Sequence, residues 1–279
     1  MPAPATTTAM LDLLTQPLAE PFFVRALIAI ALCGATCACL GAYVVLRRMA
    51  FVSTALTHSI LPGVIGAVLL GFSPYLGALA AALLTAAGAA WLAARRGTSE
   101  DSSVGVMLSV MFAAGVALMQ QANSWRDFAG LLFGSVLSVG GEDLIVIGTT
   151  AAVVLFGLRA LHKELELASF DEEYAALLGA RPALMRVVLL VLVALGSVAC
   201  VRLVGALLTT ALFVIPAATG VLLGRTVPQV MAWGAGCALF GGVSGLYLSY
   251  YAPAVPSGAG IVLCCALPYL AARLLAPSR

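Results

Sequence analysis

Charged side chains are scarce in this sequence: Asp, Glu, Lys and Arg together make up 9% of its 279 residues. Globular domains carry about 25%. The formal net charge is only +2, and the basic residues form no long run. A nucleic-acid-binding surface needs clustered Lys and Arg. We therefore expect no nucleic-acid partner.

Lysine is the scarcest basic residue, because Lys163 is the only one in the chain. A P-loop needs a lysine after its glycines to contact the nucleotide phosphates, whereas Lys163 is followed by Glu164. The chain is therefore not expected to be an enzyme that hydrolyses ATP. If ATP drives its activity, the ATPase must be a separate subunit.

Acidic residues are missing from most of the chain. None occurs between Pro21 and Ser99, or from Tyr174 to the end. Proton-driven exchangers depend on carboxylates within their membrane helices. This absence disfavours proton-coupled exchange.

Hydrophobic residues make up 62% of the chain, and its mean hydropathy is +1.10. This composition is typical of an all-α, polytopic integral membrane protein. Residues 1–279 are interpreted as one transmembrane domain with an N-terminal extension, 1–22, which lacks the basic start of a signal peptide. The sequence predicts nine spans: 24–46, 55–71, 75–94, 103–121, 143–161, 186–201, 204–223, 228–249 and 258–275. If the short segment 186–201 does not cross the membrane, eight spans remain.

The basic residues predict the orientation of the spans, since short cytoplasmic loops carry an excess of Lys and Arg. An extracytoplasmic amino terminus puts eleven basic residues inside and leaves three, Arg25, Arg126 and Arg202, outside. With nine spans, the carboxyl terminus is then cytoplasmic.

His58 is a titratable side chain in the apolar segment from Phe51 to Gly63. Ionisable groups at such depth generally indicate a functional site. Pro62 cannot donate to the His58 carbonyl, so we expect a kink that frees this carbonyl beside the imidazole. Thr54 lies one turn earlier on the same face. The cluster could line a path for a cation, or His58 could simply bond a neighbouring helix and fix its packing.

The stretch 162–182, predicted to be cytoplasmic, contains five of the twelve acidic residues. Ser169 or Asp171 can cap a short helix with Glu172 and Glu173 in its first turn, and Gly179 can end it. The apolar side chains of this helix are Phe170, Tyr174, Leu177 and Leu178. They favour docking to another protein over a solvated connector.

A late apolar segment, 204–223, carries small residues and Pro216. Small residues allow close approach of helices, and Pro216 frees the carbonyl of Leu212. Taken alone, the segment is more typical of a packing helix than of a pore lining. Its threonines, Thr219 among them, could bond back to their own helix.

Five stretches, taken in order, resemble the permease subunit of the zinc/manganese/iron ABC importer family. They are Val44–Phe51 leading into Ala55-Leu56-Thr57-His58 and Pro62-Gly63; Glu100–Ser103 with Gly105; Leu132–Leu137; Lys163–Leu165 with Ser169, Phe170, Asp171, Glu173 and Gly179; and Val204–Leu208 through Pro216–Thr219. The chain departs from the family where Ser53-Thr54 replaces the common Gly-Asp before the histidine.

The resemblance implies an ABC permease that carries a divalent transition metal ion, zinc or manganese, and binds no permanent cofactor. It implies a translocation path at His58, Thr54, Thr57 and Pro62, ATPase coupling at Ser169, Phe170, Asp171, Glu173 and Gly179, and a broken helix marked by Gly205, Pro216 and Thr219. The implied partners are an ATPase subunit that binds ATP, an extracytoplasmic metal-binding protein, a second permease subunit forming a homodimer, and membrane lipid. Two alternatives stay open: a secondary transporter or channel without ATP coupling, and an ABC permease for a non-metal cargo.

Overall fold

The structure, a computed structural model, describes residues 15–95, 99–122, 134, 136–252 and 254–275. Its regular elements within these ranges are all helical, which confirms the predicted all-α class. Two are short 3₁₀ helices, Pro17–Ala19 and Val136–Ser138. The α-helices are α1 (Pro21–Leu46), α2 (Ala50–Ser59), α3 (Leu61–Leu69), α4 (Pro74–Ala93), α5 (Glu100–Ala122), α6 (Gly141–Ala160), α7 (His162–Phe170), α8 (Glu172–Leu177), α9 (Pro182–Leu223), α10 (Val227–Tyr251) and α11 (Ser257–Leu275).

Nine segments of the described chain are long and apolar enough to cross a membrane, as the sequence predicted. Helices α2 and α3 together form one span, Ala50–Leu69, and α9 contributes two, Pro182–Val201 and Val204–Leu223. The segment 186–201, which the sequence left open as a span, therefore belongs to a 20-residue helix. At about 1.5 Å per residue, 20 residues match the hydrocarbon thickness of a bilayer.

Helix α9 folds back on itself at Gly205, where φ is 81° and ψ is 160°. A Cβ atom built on Gly196 would lie 3.6 Å from Phe213 Cζ. A straight helix would separate these two positions by about 25 Å. The two halves of α9 are therefore neighbours, and the predicted break falls at Gly205 rather than at Pro216, across which the helix continues.

Helix α1 occupies the centre of the bundle and is buried over most of its length. At its beginning, the ring of Phe23 packs edge-on against Tyr247 of α10, with centroids 5.1 Å apart. Towards its end, a Cβ built on Gly41 would collide with the Phe213 carbonyl oxygen of α9. Glycine at position 41 thus allows the two backbones to touch, as small residues do in membrane bundles.

Helices α7 and α8 lie at one end of the bundle, and the fold-back of α9 lies at the other. Helices α7 and α8 lie at the end where α1 finishes, since Arg47 Nε donates to Ser169 Oγ at 2.9 Å. The fold-back of α9 lies at the other end, where Gly134 contacts the backbone at Gly205. Gly134 and helices α7 and α8 therefore lie at opposite ends, as expected for positions separated by the single span α6.

Candidate functional site

The helix that carries His58 divides at Ile60, between α2 and α3. Pro62 occupies the first turn of α3, where its missing N–H requires no partner. The sequence predicted a free His58 carbonyl at this kink, and this stays a prediction. Pro62 has no N–H to donate to it, and the backbone bonds at this junction run from Gly63 and Val64 to the Ile60 carbonyl.

His58 and Thr54 lie one turn apart on α2, and both side chains are half-buried. Among the described residues, the His58 imidazole has no hydrogen-bond or ion-pair partner. It is therefore not tied to a neighbouring helix within the described part of the chain. Its ring nitrogens are available to a ligand or to a surface outside this chain.

Thr57 links α2 to the second half of α9. Its hydroxyl is buried, donates to the Thr54 carbonyl at 2.8 Å, and lies 3.1 Å from the Thr210 hydroxyl. Thr210 in turn bonds back to the Ala206 carbonyl, one turn from the fold-back at Gly205. The structure thus brings the His58 segment and the predicted broken helix into contact through two threonines. The sequence did not single out Thr210 as a partner of Thr57.

Thr219 and Pro216 lie on a different part of α9. The Thr219 hydroxyl donates to the Ile215 carbonyl at 2.9 Å and lies 3.6 Å from Cys237 Sγ of α10. The carbonyl of Pro216 lies against Gly234 of α10. These residues therefore join α9 to α10, and the structure does not group them with His58.

The chemistry available around His58 is one imidazole with neutral threonine oxygens. In the described part of the chain, no group of three or more His, Cys, Asp or Glu side chains could hold a metal ion. Transition metals held permanently in proteins take several nitrogen, sulfur or carboxylate ligands. An ion at His58 would therefore be held weakly, which suits passage better than storage.

At the end of the bundle where α1 finishes, the predicted coupling region forms two helices, not one. Helix α7 ends at Phe170, the chain extends at Asp171, and α8 follows. Asp171 caps α8 as predicted, because its Oδ1 accepts the N–H of Tyr174 at 2.9 Å. Gly179 ends the segment with a φ of 84°. The missed element is α7, whose charged sequence gave no clear apolar face.

Ser169 does not cap a helix but anchors α7 to the end of α1. It accepts from Arg47 Nε at 2.9 Å and donates to the Leu165 carbonyl at 2.5 Å. A second anchor joins buried Tyr43 to His162, with 2.5 Å between the hydroxyl and Nδ1. These contacts join α7 to α1, the helix at the centre of the bundle.

The surface of the coupling region is apolar and open. Phe170 and Leu177 are 69% and 84% exposed, and Tyr174 and Leu178 are exposed as well. Glu173 is also exposed on α8. Beside them lies a cleft of about 310 Å³, lined by 46–49 from the α1–α2 turn and 168–172 from α7 and α8. The cleft combines the Arg47 and Arg48 side chains with Phe170, so it offers both charge and apolar surface to a partner.

The connection before α6 is described only in part. Leu132, Phe133 and Ser135 of the third motif lie outside the described residues. Gly134 has a φ of 62° and lies against the backbone at Gly205. Asp143 is engaged internally, accepting from Tyr75 at 2.6 Å and from the N–H of Gly140 at 3.1 Å. Glu142 is the exposed acid beside it.

The chain is similar to known proteins over nearly its whole length. Residues 19–276 match the family model described as ABC 3 transport family. The chain is 30% identical over 265 residues to the manganese transport system membrane protein MntC of Halalkalibacterium halodurans, covering 95% of this chain and 90% of the relative. It is 32% identical to the chelated iron transport system membrane protein YfeC of Yersinia pestis, covering 96% and 91%.

A solved structure shows the same fold. The chain superimposes on a chain of PsaBC from Streptococcus pneumoniae, solved in complex with Fab, with a TM-score of 0.85, 28% identity and 96% of each chain covered. The match extends over nearly all of both chains.

Proposed function

The chain belongs to the ABC 3 transport family, and we propose that it is the membrane-spanning permease of an ATP-driven importer of a divalent transition metal ion. The observation that carries this proposal is the family match over residues 19–276, together with nine spans in the described chain. The protein is a multi-pass protein of the cell membrane.

Manganese or iron is the cargo that the comparisons support, and we take manganese as the ion to test. One relative is named for manganese transport and another for chelated iron, whereas zinc, which the sequence also allowed, has no comparable support. Imidazole and neutral oxygen ligands bind Mn²⁺ only weakly. A site of this kind at His58 would pass manganese on rather than retain it.

ATP hydrolysis belongs to a separate subunit in this proposal. The only lysine, Lys163, has no P-loop context. The cleft between the α1–α2 turn and α7–α8 faces the end predicted to be cytoplasmic, where an ATPase would dock. The exposed Phe170, Tyr174 and Leu177 would give the docking contact its apolar centre.

A second permease subunit would complete the path. His58 and Thr54 are half-buried in the isolated chain, and a titratable group facing lipid is costly. A two-fold axis beside α2 would cover both residues and bring two imidazoles to one path. At the opposite end from α7 and α8, the exposed Glu142 would be accessible to a metal-binding protein.

Reconstitution tests the proposed function directly. The chain is placed in proteoliposomes with an ATPase and a metal-binding protein encoded beside it, and uptake of Mn²⁺ is followed with and without ATP. The proposal expects uptake that requires ATP and the ATPase, with weaker competition by Zn²⁺ than by excess Mn²⁺. Uptake driven by an ion gradient without ATPase would identify a secondary transporter, and ATP hydrolysis stimulated only by a non-metal solute would identify a different cargo.

A further inference from the structure

A second cavity, of about 500 Å³, lies at the end of the bundle that carries α7. One wall is apolar and comes from three membrane spans: Cys39 of α1, Leu155 and Leu158 of α6, and Met231 of α10. Cys39 lies seven residues before the end of α1, so this wall extends about 10 Å into the membrane part of the bundle. The depth suits a hydrocarbon chain.

The mouth of the same cavity is basic. Arg159, His162 and Lys163 line it, and no acidic residue does. Arg159 and Lys163 are exposed and, within the described part of the chain, have no ion-pair partner. The acids nearest in sequence are Glu164, which is exposed, and Glu166, which lies 3.6 Å from His162 Nε2.

We propose that this cavity binds one anionic phospholipid from the leaflet on the α7 side of the membrane. Arg159 and Lys163 hold the headgroup phosphate, and an acyl chain lies along Leu155, Leu158 and Met231. Two cations above an apolar groove at a membrane boundary have the charge and polarity pattern of such a lipid. This inference is independent of the cargo and goes beyond the transport function proposed above.

His162 has a different role in the site. Its Nδ1 is held by Tyr43 at 2.5 Å and its Nε2 faces Glu166. The ring therefore closes the cavity on the α7 side, with both of its nitrogens facing groups of this chain. Because the wall of the cavity includes α1, α6 and α10 while its mouth includes α7, a bound lipid would brace α7 against the membrane spans.

The experiment uses the full-length chain purified in a neutral detergent. Binding of phosphatidylglycerol, phosphatidylcholine and inorganic phosphate is measured by native mass spectrometry and by the thermal unfolding midpoint. The test variant is Arg159→Gln with Lys163→Gln. A matched control, Arg95→Gln with Arg273→Gln, removes two exposed charges near the ends of α4 and α11. A third variant, Leu155→Trp, keeps both charges but fills the apolar wall.

The wild-type chain should bind one phosphatidylglycerol more tightly than phosphatidylcholine and gain thermal stability from it. The double variant should weaken that site by about 30-fold, given the attraction that each Lys or Arg near a surface has for an anionic lipid. The control should bind like wild type, and Leu155→Trp should also weaken binding. Equal loss in the test and control variants would refute a built site. Tight binding of inorganic phosphate, undisturbed by Leu155→Trp, would identify a phosphate site instead of a lipid site.

Discussion

His58 is an imidazole in the middle of a membrane span, at a place where the helix divides and a threonine precedes it by one turn. Its spacing from Thr54 follows from helix periodicity, so the sequence alone predicts that the two share a face. The contact between Thr57 and Thr210 could not be predicted in this way. The two hydroxyls are 153 residues apart and meet only because α9 folds back at Gly205.

Replacing His58 by Ala should lower metal uptake by about tenfold or more, an increase of about 1.4 kcal/mol in the barrier, without loss of folded protein. Neutral imidazole can ligate a metal and its protonated form cannot, so wild-type uptake should fall as the pH drops through the pKa of His58. The residual uptake of the variant should lack this pH step. Initial rates of Mn²⁺ uptake in proteoliposomes between pH 5.5 and 8 measure both effects.

Two further substitutions at this site separate ligation from packing. His58→Gln keeps a polar side chain of similar reach without an imidazole, and should be as defective as His58→Ala. Thr54→Asp restores the carboxylate that the family commonly has, and should increase metal retention or change selectivity. If His58→Gln transports at the wild-type rate across this pH range, the histidine is a packing residue and the path does not depend on it.

At the scale of the helical element, the fold-back of α9 is set by one glycine. The sequence indicated a broken helix between positions 204 and 219 but offered Pro216 as its most visible signal. Proline can remain inside a membrane helix when neighbouring helices accommodate the freed carbonyl. The combination of φ 81° and ψ 160° at Gly205 lies in a region that is essentially restricted to glycine. Backbone conformation, not side-chain pattern, determines this break.

Gly205→Ala should therefore destabilise the protein by about 1–3 kcal/mol, the usual strain of a side chain in such a backbone region. The contact with Gly134 leaves little room for the backbone to relax. Gly236→Ala is the matched control, because a Cβ at this helical position meets nothing within 4 Å. Thermal unfolding in detergent compares the two. Equal midpoints for both variants would show that the turn at Gly205 tolerates a side chain.

The coupling region is the second element that the sequence predicted only in part. Capping by Asp171 and termination at Gly179 are local signals and were predicted. The anchors of α7 are not local, since Tyr43 lies 119 residues from His162 and Arg47 lies 122 from Ser169. A polar helix such as α7 has no apolar periodicity to reveal it. Its position depends on hydrogen bonds to α1.

Phe170→Ala should weaken ATPase association by about tenfold or more, since a fully buried Phe contributes about 1.5–3 kcal/mol. The Phe170 ring is 69% exposed, so its removal costs the folded permease little. Phe72→Ala is the control: this ring is 66% exposed between α3 and α4, at the opposite end of the bundle, where Tyr75 bonds Asp143 at the start of α6. Co-purification with the ATPase and the ratio of metal moved to ATP hydrolysed are the measurements. If Phe170→Ala co-purifies with the ATPase and moves metal per ATP as the wild type does, the segment is a simple connector.

At the scale of the whole molecule, the sequence predicted the nine spans to within a few residues. Apolar runs of about 20 residues are a strong signal because the bilayer fixes their length. Their arrangement in space was not predictable, because α1 packs through small residues such as Gly41 that carry little pattern information. The orientation in the membrane is a separate question, determined by charge and not by packing.

The charge distribution predicts that α7 and α8 are cytoplasmic and that the fold-back of α9 is extracytoplasmic. Eleven basic residues fall on the predicted inner side and three on the outer side. Single cysteines introduced at Ser99 and Leu177 should react with a membrane-impermeant maleimide only after permeabilisation, and cysteines at Glu142 and Ala254 should react in intact cells. All four side chains are exposed, and the wild-type chain with its seven cysteines supplies the background. Labelling of Leu177→Cys in intact cells would show that the orientation is opposite to the one predicted. It would also exclude the ATPase contact at Phe170, because the ATPase and its ATP are cytoplasmic.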